Sequence, residues 1–328
     1  MKITSNKDIS KEIIKILNRE EKFVLSIHKS PDGDAMGSLL ATFLLLKKMS
    51  KNVEIAWDDE IPFQLAFLPY ASNLKKKYPK IDSNTVLISL DNSTKNMINK
   101  FYPNLNKKDY RMIINIDHHY KNMKFGDINL VIPKAVSVTQ ILYDIFKENN
   151  IEIDIEMAEC LYTGLVTDSG RFQYLNTTSH SHLVAAELIS LGVNPVKVFR
   201  NVFENKPKEI LDLHRLMISR TKILKDGSLI CSYVLRDDLK NLNLTYSSSM
   251  DFVNILRTVE KVEVAAVFKQ QKDSTYRVSL RSSTYIDVSK IADKFGGGGH
   301  PTAAGYHCNS KDINHCIKEL ENKLNTND

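Results

Sequence analysis

Along the first third of the chain the hydrophobic positions follow two alternating periods. Ile9, Ile13, Ile14 and Leu17 recur at helical spacing, and the compact apolar run Phe23–Ile27 that follows is too short for a helix. Ala35–Met49 returns to the helical pattern. Val53–Trp57, Thr85–Leu90 and Met112–Ile116 are further short runs rich in β-branched residues. Buried strands separated by helices predict an α/β layer with a mostly parallel sheet and flanking helices. From Ser137 to Leu191 the pattern is almost all helical, with helices expected over Val138–Lys147, Glu156–Val166 and Ser181–Leu191. Gly192-Val193-Asn194-Pro195 then reads as a stop and a turn.

Beyond that turn the pattern changes. Lys206–Arg220 reads as a polar-faced connecting helix with Pro207 near its start. Thr221–Leu224, Leu229–Leu235, Val262–Lys269 and Tyr276–Arg281 read as strands, and helices are expected around Ser249–Thr258, Val288–Lys294 and Ile313–Asn325. This is a smaller mixed α/β unit. The 328 residues suit two domains. They are expected over 1–195 and 216–328, with 196–215 as the connecting helix and linker.

Composition narrows the class without naming it. Hydrophobic residues at 42% and charged residues at 26% exclude a disordered, collagen-like or mucin-like chain. A formal net charge of +6 permits a polyanionic ligand without demanding one. Cys160, Cys231, Cys308 and Cys316 are widely spaced with no CxxC, and read as reduced thiols of a cytosolic protein. Met1–Glu21 is charged throughout and lacks the apolar segment of a signal peptide. The longest uncharged apolar run, Ala35–Leu46, is ended by Lys47 and Lys48, well short of the roughly 18 residues a membrane span needs. The expectation is a soluble, cytoplasmic protein with no membrane partner.

Three acid or histidine clusters fall at the same structural place. His28 and the segment Lys29-Ser30-Pro31-Asp32-Gly33-Asp34 follow the first strand. Asp91 follows Thr85–Leu90, and Asp117-His118-His119 follows Met112–Ile116. In an open parallel sheet ligands bind beyond the carboxyl ends of the strands, so the three clusters are expected to meet in one crevice. Four carboxylates there repel one another, and burying them is costly unless cations are present. Mixed His and Asp ligands without thiolate suit Mn²⁺, Fe²⁺ or Zn²⁺ better than Ca²⁺. Six or seven ligands are too many for one open metal site and suit a pair, a common device for phosphoester hydrolysis. Thr167-Asp168-Ser169-Gly170 alone reads as a helix stop with a capping turn; beside a metal crevice, Asp168 becomes a further ligand. In the second unit, Gly296–Gly299 stand together before His300, with Gly305 after Ala303-Ala304. Such a run lets backbone amides converge on an anion, and His300 with Arg281-Ser282-Ser283 adds donors and charge for a phosphate.

In these motifs the chain resembles the DHH–DHHA1 phosphoesterases, along nearly its whole length. The resemblance rests on His28 through Ser38, on Asp91, on Asn115-Ile116-Asp117-His118-His119, on Thr167 through Phe172, and on Gly296–His300 with Ala303-Ala304-Gly305. Length and motif wording are similar to the short, two-domain NrnA-type members. Asp91 is followed by Asn92-Ser93-Thr94-Lys95-Asn96, without the arginine often found there in relatives. The resemblance implies two Mn²⁺ ions, one on His28, Asp32 and Asp91, the other on Asp34, Asp91, His118 and Asp168. It places His119 against the scissile phosphate and Asp117 behind the histidines. Arg281, Ser282, Gly298, Gly299 and His300 become the residues that hold the terminal nucleotide. The implied activity is hydrolysis of very short RNAs and dinucleotides such as pApA to nucleoside 5′-monophosphates, and of 3′-phosphoadenosine 5′-phosphate to AMP. Cyclic di-AMP is the alternative substrate. Inorganic pyrophosphate and a non-catalytic nucleotide sensor are more distant readings. The order of these substrates, the preferred metal and the oligomeric state, a homodimer included, stay open in the sequence.

Overall fold

A computed structural model describes residues 5–249 and 251–325. Residues 1–4 and 326–328, at the ends of the two expected domains, and Met250, within the expected helix Ser249–Thr258, lie outside the described residues. The chain divides into two compact units, the first ending at Asn205 and the second beginning at Lys206.

The first unit runs α1 (Asn6–Arg19), β1 (Lys22–Ser26), α2 (Gly33–Lys48), β2 (Asn52–Ile55), β3 (Thr85–Leu90), α3 (Asn96–Phe101), β4 (Met112–Asp117) and β5 (Ile128–Val131). It continues with α4 (Val138–Glu148), α5 (Ile155–Asp168), α6 (Ser179–Ser190) and α7 (Pro195–Phe199). The strands form one sheet in the order β2-β1-β3-β4-β5, all parallel. Strand side chains alternate between faces, and both faces are covered, as a parallel sheet requires. Phe23, Leu25, Val86, Ile88, Ile114 and Ile116 join the main core with α2, α4 and α5, while Val24, Leu87 and Ile113 pack with Ile98 and Phe101 of α3. Strand β5 escapes the sequence reading because it is four residues long and interrupted by Asn129.

Helices α2 and α5 are buried along most of their length and pack tightly on one another. Glycine permits this. A Cβ at Gly37 would stand 2.4 Å from the Cys160 carbonyl oxygen, and one at Gly164 would strike the Thr139 side chain. The close approach carries Asp168, the last residue of α5, towards the loop that opens α2. No single helix among the described residues is long and apolar enough to cross a membrane.

The second unit runs α8 (Glu209–Ser219), β6 (Lys222–Leu224), β7 (Leu229–Val234), α9 (Arg236–Asn241), α10 (Phe252–Arg257), β8 (Val264–Gln270) and β9 (Tyr276–Ser282). It ends with α11 (Val288–Asp293), β10 (Gly298–His300), β11 (Ala303–Cys308) and α12 (Ile313–Asn325). Its sheet has the order β10-β11-β9-β8-β7-β6, antiparallel except for β7 with β8. Val278, Leu280 and Tyr306 face α11 and α12, whereas Ile230, Ala265 and Val267 face α8 and α10. The helix read as a connector is therefore a packing element. Ile210, Leu213 and Met217 of α8 are buried, and Leu213 and Met217 join the core of the second unit. The four cysteines are buried and free.

Gly298–His300 is an edge strand paired with Ala303–Gly305. Cβ atoms at Gly297 and Gly299 would lie 2.2 Å from the Gly305 carbonyl oxygen and 2.5 Å from that of Ala303. Those two glycines serve the hairpin's close approach. Only an edge strand keeps backbone groups on its outer side without a neighbouring strand, and β10 is one.

Candidate metal centre and active site

The switch in strand order falls between β1 and β3, whose following segments leave in opposite directions across the sheet. His28 follows β1, Asp91 follows β3, and Asp117, His118 and His119 end β4 and begin its loop. Asp32 caps α2, its Oδ1 accepting from the amides of Asp34 and Ala35 at 3.1 and 3.0 Å. That leaves Oδ2 unconstrained by the cap. Asp34, two residues on in the first turn of α2, is fully buried, and its two oxygens accept the amides of Val138 and Thr139 at 2.7 and 2.9 Å. These are the first amides of α4, where carboxylates are stabilised by the helix dipole.

Asp91 is the centre of the arrangement. Its Oδ2 stands 3.3 Å from His28 Nε2, and its Oδ1 stands 3.7 Å from His118 Nε2 and 3.5 Å from His119 Nδ1. His118 Nε2 also lies 3.9 Å from Asp34 and 3.2 Å from Asp168. Ligand atoms of His28, Asp32 and Asp91 all lie within 4.8 Å of one another, as do those of Asp34, Asp91 and His118. A third such group, Asp91 with Asp117 and His119, has its imidazole Nδ1 already committed to Asp117 at 2.7 Å. Asp91 belongs to each of these three groups, all made of first-unit residues. Its backbone adopts a left-handed φ of +54°, rare outside glycine and best tolerated by Asp and Asn. Such strain collects where geometry serves a site.

Each histidine is oriented by its other nitrogen. His28 Nδ1 donates to the Lys29 carbonyl at 2.9 Å and His118 Nδ1 to that of Ala135 at 3.3 Å, leaving both Nε2 atoms facing the carboxylates. His119 Nδ1 donates to Asp117, a fully buried carboxylate that also accepts the His118 amide at 2.8 Å. The His119 side chain is 28% exposed where that of His118 is 4% exposed.

Electrostatics show what the cluster lacks. Burial alone would lower the pKa of His28, yet the hydrogen bond and charge of Asp91, with Asp32, raise it to about 10. His119 is likewise opposed by burial and raised to about 9 by Asp117 and Asp91. Burial and then the Asp91 charge push Asp34 up to about 7. Asp91 resists burial and is held far below the usual range by His28, His119 and His118. Carboxylates gathered this closely recruit positive charge from wherever it is available. Asp91 Oδ1 is buried and accepts no hydrogen bond, an orphaned acceptor at the point shared by the metal-sized groups. The donor set, imidazole and carboxylate without thiolate, fits a divalent first-row cation.

A pH dependence follows with a definite sign. His28 must be neutral to ligate, and it carries a proton below its raised pKa of about 10. Cation binding near neutrality is therefore expected to expel a proton, and affinity to rise with pH through that range. Competition with a chelating dye at pH 6.5, 7.5 and 8.5 (about one unit apart, so up to about tenfold per step for one linked proton) measures it. Affinity that is flat or falls with pH contradicts the ligation by His28.

In the second unit Arg281 lies on β9 opposite Ala303 of β11, and its Nη1 donates to the Leu280 carbonyl at 3.0 Å. Its Nε is buried without a hydrogen-bond partner. Ser282 departs from expectation. It is 2% exposed and its hydroxyl donates to Glu263 at 3.0 Å, which removes it from any ligand surface. Glu263 gathers the turn after β9, also accepting from the amides of Thr284, Tyr285 and Ile286. What sequence reasoning missed in the first unit is an amide network, Asn92, Asn115 and Asn122. These residues have no charge and no periodic spacing to mark them.

Two family models match the chain. That described as "DHH family, N-terminal domain" covers residues 22–165, and that described as "DHHA1 domain" covers residues 226–326. The bifunctional oligoribonuclease and PAP phosphatase NrnA of Thermus thermophilus is 29% identical over 309 residues, covering 94% of this chain and 90% of that protein. A probable bifunctional oligoribonuclease and PAP phosphatase NrnA of Streptococcus mutans is 29% identical over 326 residues, covering 96% and 98%. Among solved structures, an exopolyphosphatase-related protein of Bacteroides fragilis superposes with a TM-score of 0.87 at 24% identity, covering 99% of this chain and 97% of that one. That last likeness establishes the fold.

Proposed function

The chain belongs to the DHH family, carrying both a DHH and a DHHA1 domain, and from that premise we propose that it hydrolyses the P–O3′ bond of very short RNAs and dinucleotides. The products are nucleoside 5′-monophosphates; from 3′-phosphoadenosine 5′-phosphate they are AMP and phosphate. Relatives named for both activities along nearly their whole length support this reading. The observation that carries it is the convergence of His28, Asp32, Asp34 and His118 on the buried Asp91 carboxylate, with Asp168 against His118. We place two manganese ions there, one on His28, Asp32 and Asp91 and the other on Asp34, Asp91, His118 and Asp168. Ions so held would acidify water and offset charge developing on phosphorus oxygens.

The chain's own residues do the rest. Water attacks phosphorus in line with the departing 3′-oxygen. His119, fixed by Asp117 through Nδ1, presents the proton on Nε2 to that oxygen. Arg281, Gly298, Gly299 and His300 hold the 5′-terminal nucleotide; Ser282 has no part in this. The enzyme is a hydrolase and its proposed setting is the cytoplasm.

We assign the 5′-terminal nucleotide to the second unit, with its 5′-phosphate against Arg281. A charge-assisted contact contributes about 1.5–3 kcal/mol, so pApA is expected to exceed ApA in kcat/KM by roughly 10- to 150-fold. Arg281→Ala is expected to erase most of that preference while sparing a small generic phosphodiester. The assay is a kcat/KM panel with Mn²⁺ on pApA, ApA, RNAs of increasing length, cyclic di-AMP and 3′-phosphoadenosine 5′-phosphate. Equal rates on pApA and ApA would contradict the Arg281 assignment, and inertness on all of them the proposed activity.

A further inference from the structure

We propose that Asn122 is a positioning residue that acts through Asp117 to hold His119 in register with Asp91, an inference that rests on the phosphoester hydrolysis proposed above. Asn122 Nδ2 donates to Asp117 Oδ2 at 2.5 Å, to Asn115 Oδ1 at 2.8 Å and to the Asn92 carbonyl at 3.0 Å. Its Oδ1 accepts the Lys124 amide at 2.6 Å. A backbone amide can only donate, so the orientation of the Asn122 side chain is fixed by this bond.

The two ends of the side chain do different work. The Oδ1 end closes the turn after the histidines, a common use of asparagine. The Nδ2 end points inward. Asp117 Oδ1 is already taken by the His118 amide and by His119 Nδ1, so the carboxylate can rotate about its axis unless Oδ2 is also held. Asn122 supplies that hold. The Asn92 carbonyl receives Asn115 Nδ2 as well, at 3.0 Å, so two side-chain amides hold the peptide that follows Asn92, one residue beyond the left-handed Asp91. One side chain thus ties the orienter of His119 to the backbone one residue beyond the central carboxylate. A carboxylate deprived of a buried donor moves to recover one, and small displacements of a proton donor have large effects on rate.

Two substitutions separate the two ends. Asn122→Ala removes both. Asn122→Ser keeps an oxygen that accepts the Lys124 amide but is too short to reach Asp117. Both are expected to retain metal content and to lose roughly 10- to 100-fold in kcat, the range typical of outer-shell partners, with KM within about threefold. Because the effect passes through His119, either substitution made in a His119→Ala background is expected to cost less than about threefold more. A second readout needs no turnover. In metal-free protein the Nδ1 proton of His119, assigned by its disappearance in His119→Ala, is expected far downfield in the proton NMR spectrum and shifted or lost in Asn122→Ser.

Wild-type kcat in Asn122→Ser would reduce Asn122 to a turn-closing residue and overturn the proposal. So would an equal loss in both backgrounds, an unchanged Nδ1 proton, or failure of both variants to fold. Should the wild-type protein hydrolyse none of the phosphoesters, the functional reading fails on its own and the proton resonance alone decides the role of Asn122.

Discussion

Asp91→Asn is expected to lose its metals and its activity together. The side chain is nearly isosteric, and asparagine tolerates the left-handed backbone at this position, so the variant should fold. What it removes is the negative charge shared by the ligand groups His28–Asp32–Asp91 and Asp34–Asp91–His118. In the proposed two-ion arrangement the cations would then repel with less compensation, and each would lose a ligand. Metal content by plasma mass spectrometry is expected to fall from about two ions per chain to well below one. Activity should drop beyond the roughly 10- to 100-fold that losing an outer-shell partner costs. Full metal occupancy in this variant would contradict the shared role of Asp91.

His119→Ala is expected to behave in the opposite way, keeping metals and losing turnover. The two histidines are neighbours in sequence and 5.0 Å apart by ring centroids, yet they are oriented differently. His118 turns Nε2 into the carboxylates and is anchored by a neutral carbonyl, while His119 is anchored by Asp117 and is the more exposed of the two. A positioned general acid typically contributes about 10²- to 10⁴-fold, so kcat should fall within that range. The fall should be smallest for a substrate whose leaving group needs no proton, such as a nitrophenyl ester. Loss of metal from His119→Ala, with metal retained in His118→Ala, would mean that the two roles are exchanged.

Most of the fold and the outline of the site are legible in the sequence, and particular residues show where legibility ends. Strands β1, β3 and β4 are readable because a parallel sheet covered on both faces demands near-continuous apolar runs, which Phe23–Ile27, Thr85–Leu90 and Met112–Ile116 provide. The ligands are readable because they follow those runs directly. The hairpin of β10 and β11 is not, because glycine carries no side chain to pattern and Ala303–Cys308 mixes small and polar residues. Ser282 looks like a phosphate donor beside Arg281, but alternation along β9 turns it to the buried face and Glu263. The charged helix α9 presents too few apolar positions to register. Asn122 is invisible for another reason. Its importance comes from three acceptors contributed by residues 5, 7 and 30 positions away, a convergence only folding reveals.

The most direct test of P–O3′ hydrolysis follows the oxygen. With Mn²⁺ in water enriched in the heavy oxygen isotope, pApA should yield only AMP, with the label on the phosphate of the downstream nucleotide alone. From 3′-phosphoadenosine 5′-phosphate the label should enter inorganic phosphate and leave AMP unlabelled. Mass spectrometry reads both products in one run. Adenosine together with a 3′-phosphorylated product from pApA, or label in the AMP released from 3′-phosphoadenosine 5′-phosphate, would contradict the proposed bond cleavage.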